Sequence, residues 1–201
     1  MHISEGVLAP VVIVGGALAA AAGVGLGLKK LDYERIPDTA VLTSAFFVAS
    51  LVHIPVGPAS VHMALNGLVG LLLGWCAAPA ILAALFLQAI LFQFGGLTTL
   101  GVNTFVMAAP AVFVHYAFGP LARSERGAVA ASGAFLAGSV AVGFSSVLMA
   151  LALAASGDVF KNVARMVIIA HIPVMIIEGI VTSFCVTFLR KVKPEILENG
   201  I

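Results

Sequence analysis

Charge is what this chain has least of. Only 9% of its 201 residues are Asp, Glu, Lys or Arg, against about 25% in a soluble domain. From Thr39 to Ala122 there is none at all. That scarcity excludes an ordinary solvated surface. With a formal net charge of +1 and the few basic residues set at the ends of apolar runs, it also excludes a nucleic-acid face. Cysteine is nearly absent, and Cys76 and Cys185 both fall in apolar stretches, so neither a disulfide framework nor a thiolate metal site is indicated. The first residues lack the basic segment and small-residue cleavage pattern of a secretory signal, so the first apolar run is expected to remain in the mature protein. Neither a GxxxxGK[ST] loop nor an HExxH pair occurs. Ser60 near His62 is the nearest approach to a nucleophile and base, and nothing activates it. The chain is not expected to be an enzyme or to use a catalytic cofactor.

What is present is apolar side chain, at 61% of the residues. Runs of about 20 apolar residues are the length of a membrane crossing. Broken by Gly and Pro, the runs predict an all-α polytopic membrane protein forming one domain over 1–201, with about seven spans at 7–28, 38–55, 61–78, 79–94, 100–121, 127–156 and 161–190. The fourth is short enough to be tilted or half-inserted. A segment at 1–6 precedes the spans and a charged tail at 190–201 follows them. With the N-terminus outside, Lys29, Lys30, Arg35, Arg123, Arg126, Arg190, Lys191 and Lys193 all face the cytoplasm, and only Lys161 and Arg165 lie towards the outside. The positive-inside bias therefore predicts N-terminus out and C-terminus in.

That topology gathers three charge-free segments on the outer side: the start "MHISEG", the turn "HIPVGPASVH" and the turn "FGGLTTLGVN". Non-helical backbone at membrane depth survives only where it is buried in protein or lines a cavity, so an outward-facing cavity is expected there. A free α-amine on Met1, the backbone nitrogen of His2 and the His2 imidazole Nδ1 can close two small chelate rings around one cation. A fourth nitrogen would come from His62 or His53. Four coplanar nitrogens suit Cu(II), Ni(II) or low-spin Co(II) rather than Mg(II) or Ca(II), which take oxygen, and an ionised amide disfavours tetrahedral Zn(II). The alternative is that these histidines are hydrogen-bonded structural residues at helix ends.

"MHISEG", "GPASVH" and "GGLTTLGVN", in that order in a seven-span chain, resemble the CbiM/NikM family, the substrate-binding membrane subunits of energy-coupling-factor importers for cobalt and nickel. The resemblance covers most of the chain and is most specific over its first 105 residues. It implies a metal site of Met1, His2 and His62, with His53 the lesser candidate, because the family's motif sets its histidine just after the small-residue turn "GPAS". It also implies partners: a transmembrane coupling subunit, paired ATPase subunits and in some systems a small accessory membrane subunit, in a bacterial or archaeal inner membrane. The cargo would be Co(II) or Ni(II), with a lean towards cobalt. The stretch "VHMALNG" departs from the pattern by being bulkier and poorer in glycine, which bears on metal preference; Met63 there is read as packing.

Other residues carry two readings each. Asn103, with Thr98 and Thr99, either accepts an imidazole N–H and so fixes a ligand ring, the reading the resemblance favours, or caps the next helix, while Gly95 and Gly96 supply special backbone angles. Glu5 either attracts cations to the mouth or decorates the start of the first helix. His171 and Glu178 stand on one face of the last span and form either a second metal site or proton path, or a polar packing contact; the packing contact is preferred. Gly16, Ala19, Ala20, Gly23 and Gly27 present small residues at helical spacing, for a partner helix or for internal packing. The rival functions are a self-sufficient proton-coupled transporter using His171 and Glu178, and a membrane metal sensor that carries no flux.

Overall fold

Inside a bilayer a chain must satisfy its backbone hydrogen bonds internally, which leaves helices as the default. The computed structural model describes residues 1–51 and 53–198. It contains α1 (Pro10–Lys29), α2 (Ile36–Ala49), α3 (Asn66–Leu73), α4 (Ala77–Phe92), α5 (Leu100–Ala122), α6 (Gly127–Ala155), α7 (Lys161–Val192) and the short α8 (Glu195–Glu198). Five stretches, 10–29, 66–92, 100–122, 127–155 and 158–192, are long and apolar enough to cross a membrane. Their outer faces are apolar as well. Val11, Val14 and Leu18 on α1 and Ile169, Ile176, Ile180, Phe184 and Phe188 on α7 are exposed, which only a lipid surround makes favourable.

The molecule is not purely helical. Residues assigned from the sequence to the ends of two spans, 38–55 and 61–78, form strands instead: β2 (His53–Val56) and β3 (Ala59–His62) make an antiparallel hairpin, and β1 (His2–Ile3) adds to its free edge in the order β1-β3-β2. Gly57 turns the hairpin at φ +59°, a region that glycine enters without a Cβ penalty. The backbone at this depth thus finds its partners in a small sheet.

The stretch 66–92 also differs from a straight crossing. His62, just before α3, and Gln88, near the end of α4, both contact the same imidazole of His2. The chain between them must therefore double back. It does so at Gly74, whose φ of +55° and ψ of −123° end α3 after two turns. The sequence put this break near residue 78; Gly74 takes it because a Cβ there would stand 3.1 Å from the His115 ring. Every residue of α3 is buried, so it is a half-length helix enclosed by the others, between Leu65 and an inner turn.

Two ends result. The sheet end holds β1–β3, the starts of α1, α5 and α7 and the ends of α2, α4 and α6. The tail end holds the opposite termini and α8. There the Arg35 guanidinium reaches the Leu72 carbonyl at 3.4 Å, Arg123 the Leu197 carbonyl at 2.8 Å and Arg190 the Glu125 carbonyl at 2.9 Å. All eight basic residues assigned to one side by the sequence cluster at this tail end.

Apolar packing divides in the same way. One cluster under the sheet includes Met1, Ile3, Phe46, Ile81, Leu85, Met107 and Met149; the other, nearer the tail, includes Leu68, Leu72, Val114, Ala137, Val186 and Leu197. Small residues allow the close approaches. Gly16 of α1 lies against Val102 of α5, and Gly27 against the Trp75 carbonyl and Pro79. Those two members of the small-residue stripe therefore serve packing within the chain.

Candidate metal centre

The N-terminal segment is buried deeply for a chain start. Met1 and Ile3 have no exposure and His2 has 4%. Strand pairing sets its position: His2 lies opposite Ser60 and Ile3 opposite Ala59, and the Ser4 N–H donates to the Pro58 carbonyl at 3.0 Å. Ile3 is held from the other side by α5. Its N–H donates to Asn103 Oδ1 at 2.9 Å, and its carbonyl accepts from Thr99 Oγ1 at 2.9 Å and Asn103 Nδ2 at 3.2 Å. Asn103 thus grips the backbone of β1 rather than an imidazole N–H, and it stands inside α5 rather than capping it.

Residues across and two apart in a sheet share a face. His53 is the register partner of His62, and His2 that of Ser60, so the three imidazoles lie on one side of the sheet. Only two of them meet. His2 Nδ1 and His62 Nε2 are 3.0 Å apart, with ring centroids at 4.6 Å. His53 turns its Nδ1 to the Leu51 carbonyl at 3.1 Å and packs edge-on against Phe94 at 4.3 Å.

The outer nitrogens decide the tautomers. His62 Nδ1 faces the Met63 carbonyl at 2.8 Å and so must donate. His2 Nε2 faces Gln88 Oε1 at 2.9 Å, while the Gln88 amide nitrogen is committed to the Phe47 carbonyl at 3.2 Å and to Ser50 Oγ. Gln88 therefore presents its oxygen to His2, which donates. With both protons placed outward, two neutral imidazoles point bare lone pairs at one another. A Ser60 hydroxyl 3.4 Å from His2 Nδ1 is a long donor at best. Two nitrogens each about 2.0–2.1 Å from a metal at right angles would be separated by about 2.9 Å, close to the spacing found.

Burial favours the same protonation state. Desolvation holds His2 well below 6.5, at about 4, against the raising effect of the Gln88 bond, and nearby His53 lowers it further. Desolvation likewise takes His62 to about 4, opposed by the Met63 carbonyl and assisted by His171. Metal ligation needs the neutral imidazole, and both rings are neutral at physiological pH.

The loop 94–99 closes over this site. Gly95 and Gly96 have φ of +75° and +118°. A Cβ on Gly95 would lie 2.8 Å from Asn103 Nδ2 and 3.4 Å from His2 Cδ2, and one on Gly96 would run into the Glu5 side chain. Glu5, exposed, accepts from the Thr98 N–H at 2.9 Å and Thr98 Oγ1 at 3.2 Å, and the Thr98 backbone bond holds its carboxyl below the usual range. It ties the N-terminal segment to the loop instead of standing over the imidazoles. The expected outward-open cavity is accordingly closed, with His2 and His62 both buried.

His171 and Glu178 are each fully buried on one face of α7, yet no hydrogen bond joins them among the described residues. His171 Nδ1 donates to the Val167 carbonyl of its own helix at 2.7 Å. Glu178 Oε1 accepts from the Ala64 N–H at 2.5 Å and the Leu65 N–H at 2.8 Å. Leu65 has φ +52°, a left-handed conformation costing a residue with a side chain roughly 1–2 kcal/mol. Gln88 and this use of Glu178 were not foreseen. Gln88 had one signal, an isolated amide in an apolar run.

No group of three or more His, Cys, Asp or Glu side chains able to hold a metal occurs among the described residues. A four-coordinate centre here would need nitrogen or oxygen beyond the two facing imidazoles. Comparison with known proteins agrees in kind. The family described as cobalt uptake substrate-specific transmembrane region, CbiM, matches residues 2–196. A putative metal transport protein of Haemophilus influenzae is 43% identical over 205 residues, covering 99% of this chain and 98% of its own. The fused nickel transport protein NikMN of Rhodobacter capsulatus is 30% identical over 224 residues, across 98% of this chain and 64% of its own. A crystal structure of a transition metal transporter aligns with a TM-score of 0.77 at 27% identity, covering 96% of this chain and 93% of that one.

Proposed function

Since the chain belongs to the CbiM family of cobalt and nickel transport components, we propose that it is the part of an importer that captures Co(II) or Ni(II), holds it at the sheet end and passes it to the cytoplasm. The cation is cargo, bound by the α-amine of Met1, the amide nitrogen and Nδ1 of His2, and Nε2 of His62. The sheet end faces outward and the basic tail end inward, in keeping with the positive-inside bias. Energy comes from ATP hydrolysed on other subunits, reached through a transmembrane coupling subunit, since nothing in this chain resembles a nucleotide loop. The fusion named in the nickel transport relative fits a protein that works beside other membrane segments. Nickel should bind more tightly than cobalt at such a centre; the lean towards cobalt as physiological cargo rests on the motifs.

One observation carries this reading: the lone pairs of His2 and His62 facing each other at 3.0 Å while their other nitrogens are both engaged. The test is Ni(II) and Co(II) titration of purified protein whose start at Met1 has been verified by intact mass. Adding one residue before Met1, or acetylating it, should lower affinity by about 100-fold or more, an interaction loss of roughly 2.7 kcal/mol. His62→Ala should do the same and His53→Ala should not. Unchanged binding after acetylation would remove the terminal amine from the centre, and a loss confined to His53→Ala would move the fourth ligand there.

A further inference from the structure

We infer that Glu178 is a positioning residue for cargo binding: from the middle of α7 its carboxylate latches the turn that aims His62. The inference rests on His62 being a ligand, as proposed above.

Strand β3 ends at His62 and helix α3 begins at Asn66. Residues 63–65 therefore lie outside both ladders, and the N–H groups of Ala64 and Leu65, in a turn packed under α7, need partners. One oxygen of Glu178 accepts both, at 2.5 and 2.8 Å, from 114 and 113 positions away in the chain. These two bonds spare the N–H groups the cost of standing unmet in a buried turn. They hold Leu65 at φ +52°, a conformation that persists only where the surroundings enforce it.

The same turn carries the Met63 carbonyl, which takes the His62 Nδ1 proton at 2.8 Å. That bond sets both the ring plane and which nitrogen stays bare. The path from α7 to the metal site is thus short and covalent for most of its length: Glu178 to the Ala64 and Leu65 N–H groups, through Met63 to the ring, and so to the Nε2 facing His2. His171 is outside this path, since its Nδ1 proton goes to its own helix.

Helix α6 sets the position of the latch in turn. A Cβ on Gly138 would lie 2.6 Å from the Glu178 carbonyl oxygen and 2.6 Å from Thr182 Oγ1. Glycine at 138 lets α7 come in far enough for the carboxylate to reach the turn. A shift of α7 away from α6 or α3 withdraws Glu178, and the structure gives it no other route to the ring. The state of α7, which runs from the sheet end to the tail end, is in this way linked to the grip on the cation.

The alternative is that Glu178 only satisfies two N–H groups and supports the fold in general. A double-mutant cycle separates the two roles, with Ni(II) affinity of the purified full-length chain as the readout. Glu178→Leu keeps the volume and cannot accept a hydrogen bond, so its affinity should fall about tenfold or more, while Glu178→Gln, which keeps an accepting oxygen, should stay within about threefold. In a His62→Ala background the Glu178→Leu loss should disappear. A loss that persists undiminished there means general disruption and overturns the inference, as does a Glu178→Gln loss as large as that of Glu178→Leu. Gly138→Ala disturbs the latch without altering the carboxylate and serves if Glu178→Leu does not fold. It should weaken binding only when His62 is present, and unaltered affinity in Gly138→Ala counts against the latch. If His62→Ala itself binds normally, the ligand assignment fails instead, which is a separate result.

Discussion

The two ends of this molecule solve the same problem with opposite chemistry. At the sheet end, irregular backbone is held by neutral groups: Asn103 and Thr99 on Ile3, Gln88 on His2, and main-chain pairing among β1, β2 and β3. At the tail end, carbonyls at the end of α3 and on α8 meet His115, Arg35 and Arg123. A cation site cannot be built beside fixed positive charge, whereas the end of a helix, with its exposed carbonyls, welcomes it. The absence of charge from 39 to 122 suits the bilayer, and it also suits the cation site proposed above. Two acidic side chains bind main-chain N–H groups at the sheet end: Glu5 holds the Thr98 N–H, and Glu178, reaching from α7 to the turn before α3, takes those of Ala64 and Leu65 on one oxygen.

This contrast can be tested through acid. His2 and His62 have values near 4 in the fold, against an ordinary 6.5. The unfolded chain therefore takes up more protons across that interval. Stability of the metal-free protein should be full above pH 6.5 and fall as the pH drops towards 4, at about 1.4 kcal/mol per unit for each histidine. Unfolding measured in chelator should show this slope, reduced in His62→Ala. An equal slope in that variant would assign the acid sensitivity elsewhere.

A smaller effect is expected one contact out from the rings. Gln88→Leu deprives the His2 Nε2 proton of its acceptor and frees the ring to turn. Affinity for Ni(II) should fall about 10- to 100-fold, as is typical when a ligand histidine loses its supporting partner. Titration with the same cation would check it, and wild-type affinity would mean that sheet pairing alone orients His2.

The smallest effect belongs to the tail. Lys193 meets Asp38 at 3.5 Å with both side chains about half exposed. Such a pair contributes less than about 0.5 kcal/mol, so Lys193→Ala should leave both melting temperature and cation affinity essentially unaltered. A marked drop in affinity would show that the two ends communicate through the tail.

Much of this was legible beforehand. Apolar runs marked the long helices, of which five stretches are long and apolar enough to cross against about seven expected, and the basic residues sorted into one end because that pattern is local. His2 and His62 stood out as histidines beside Gly- and Pro-rich breaks. The sheet did not, since strands of two to four residues have no periodicity to read and β1 finds its partner nearly sixty residues on. Gly74 could not be told from other glycines without His115 beside it. Asn103 was singled out for an imidazole and grips the Ile3 backbone instead, because α5 approaches β1 edge-on. Glu178 was visible as a costly residue, but its partners are main-chain groups, which leave no trace in side-chain patterns.

The pairing of β1 also dictates an order of assembly. Residues 2 and 3 are made well before their neighbours Ser60, Ala59, Thr99 and Asn103. Strand β1 has nothing to dock on until these later segments have been made and threaded into the bilayer. A strand made early thus waits for partners made later, and the contact of His2 with His62 closes only once both segments are in place.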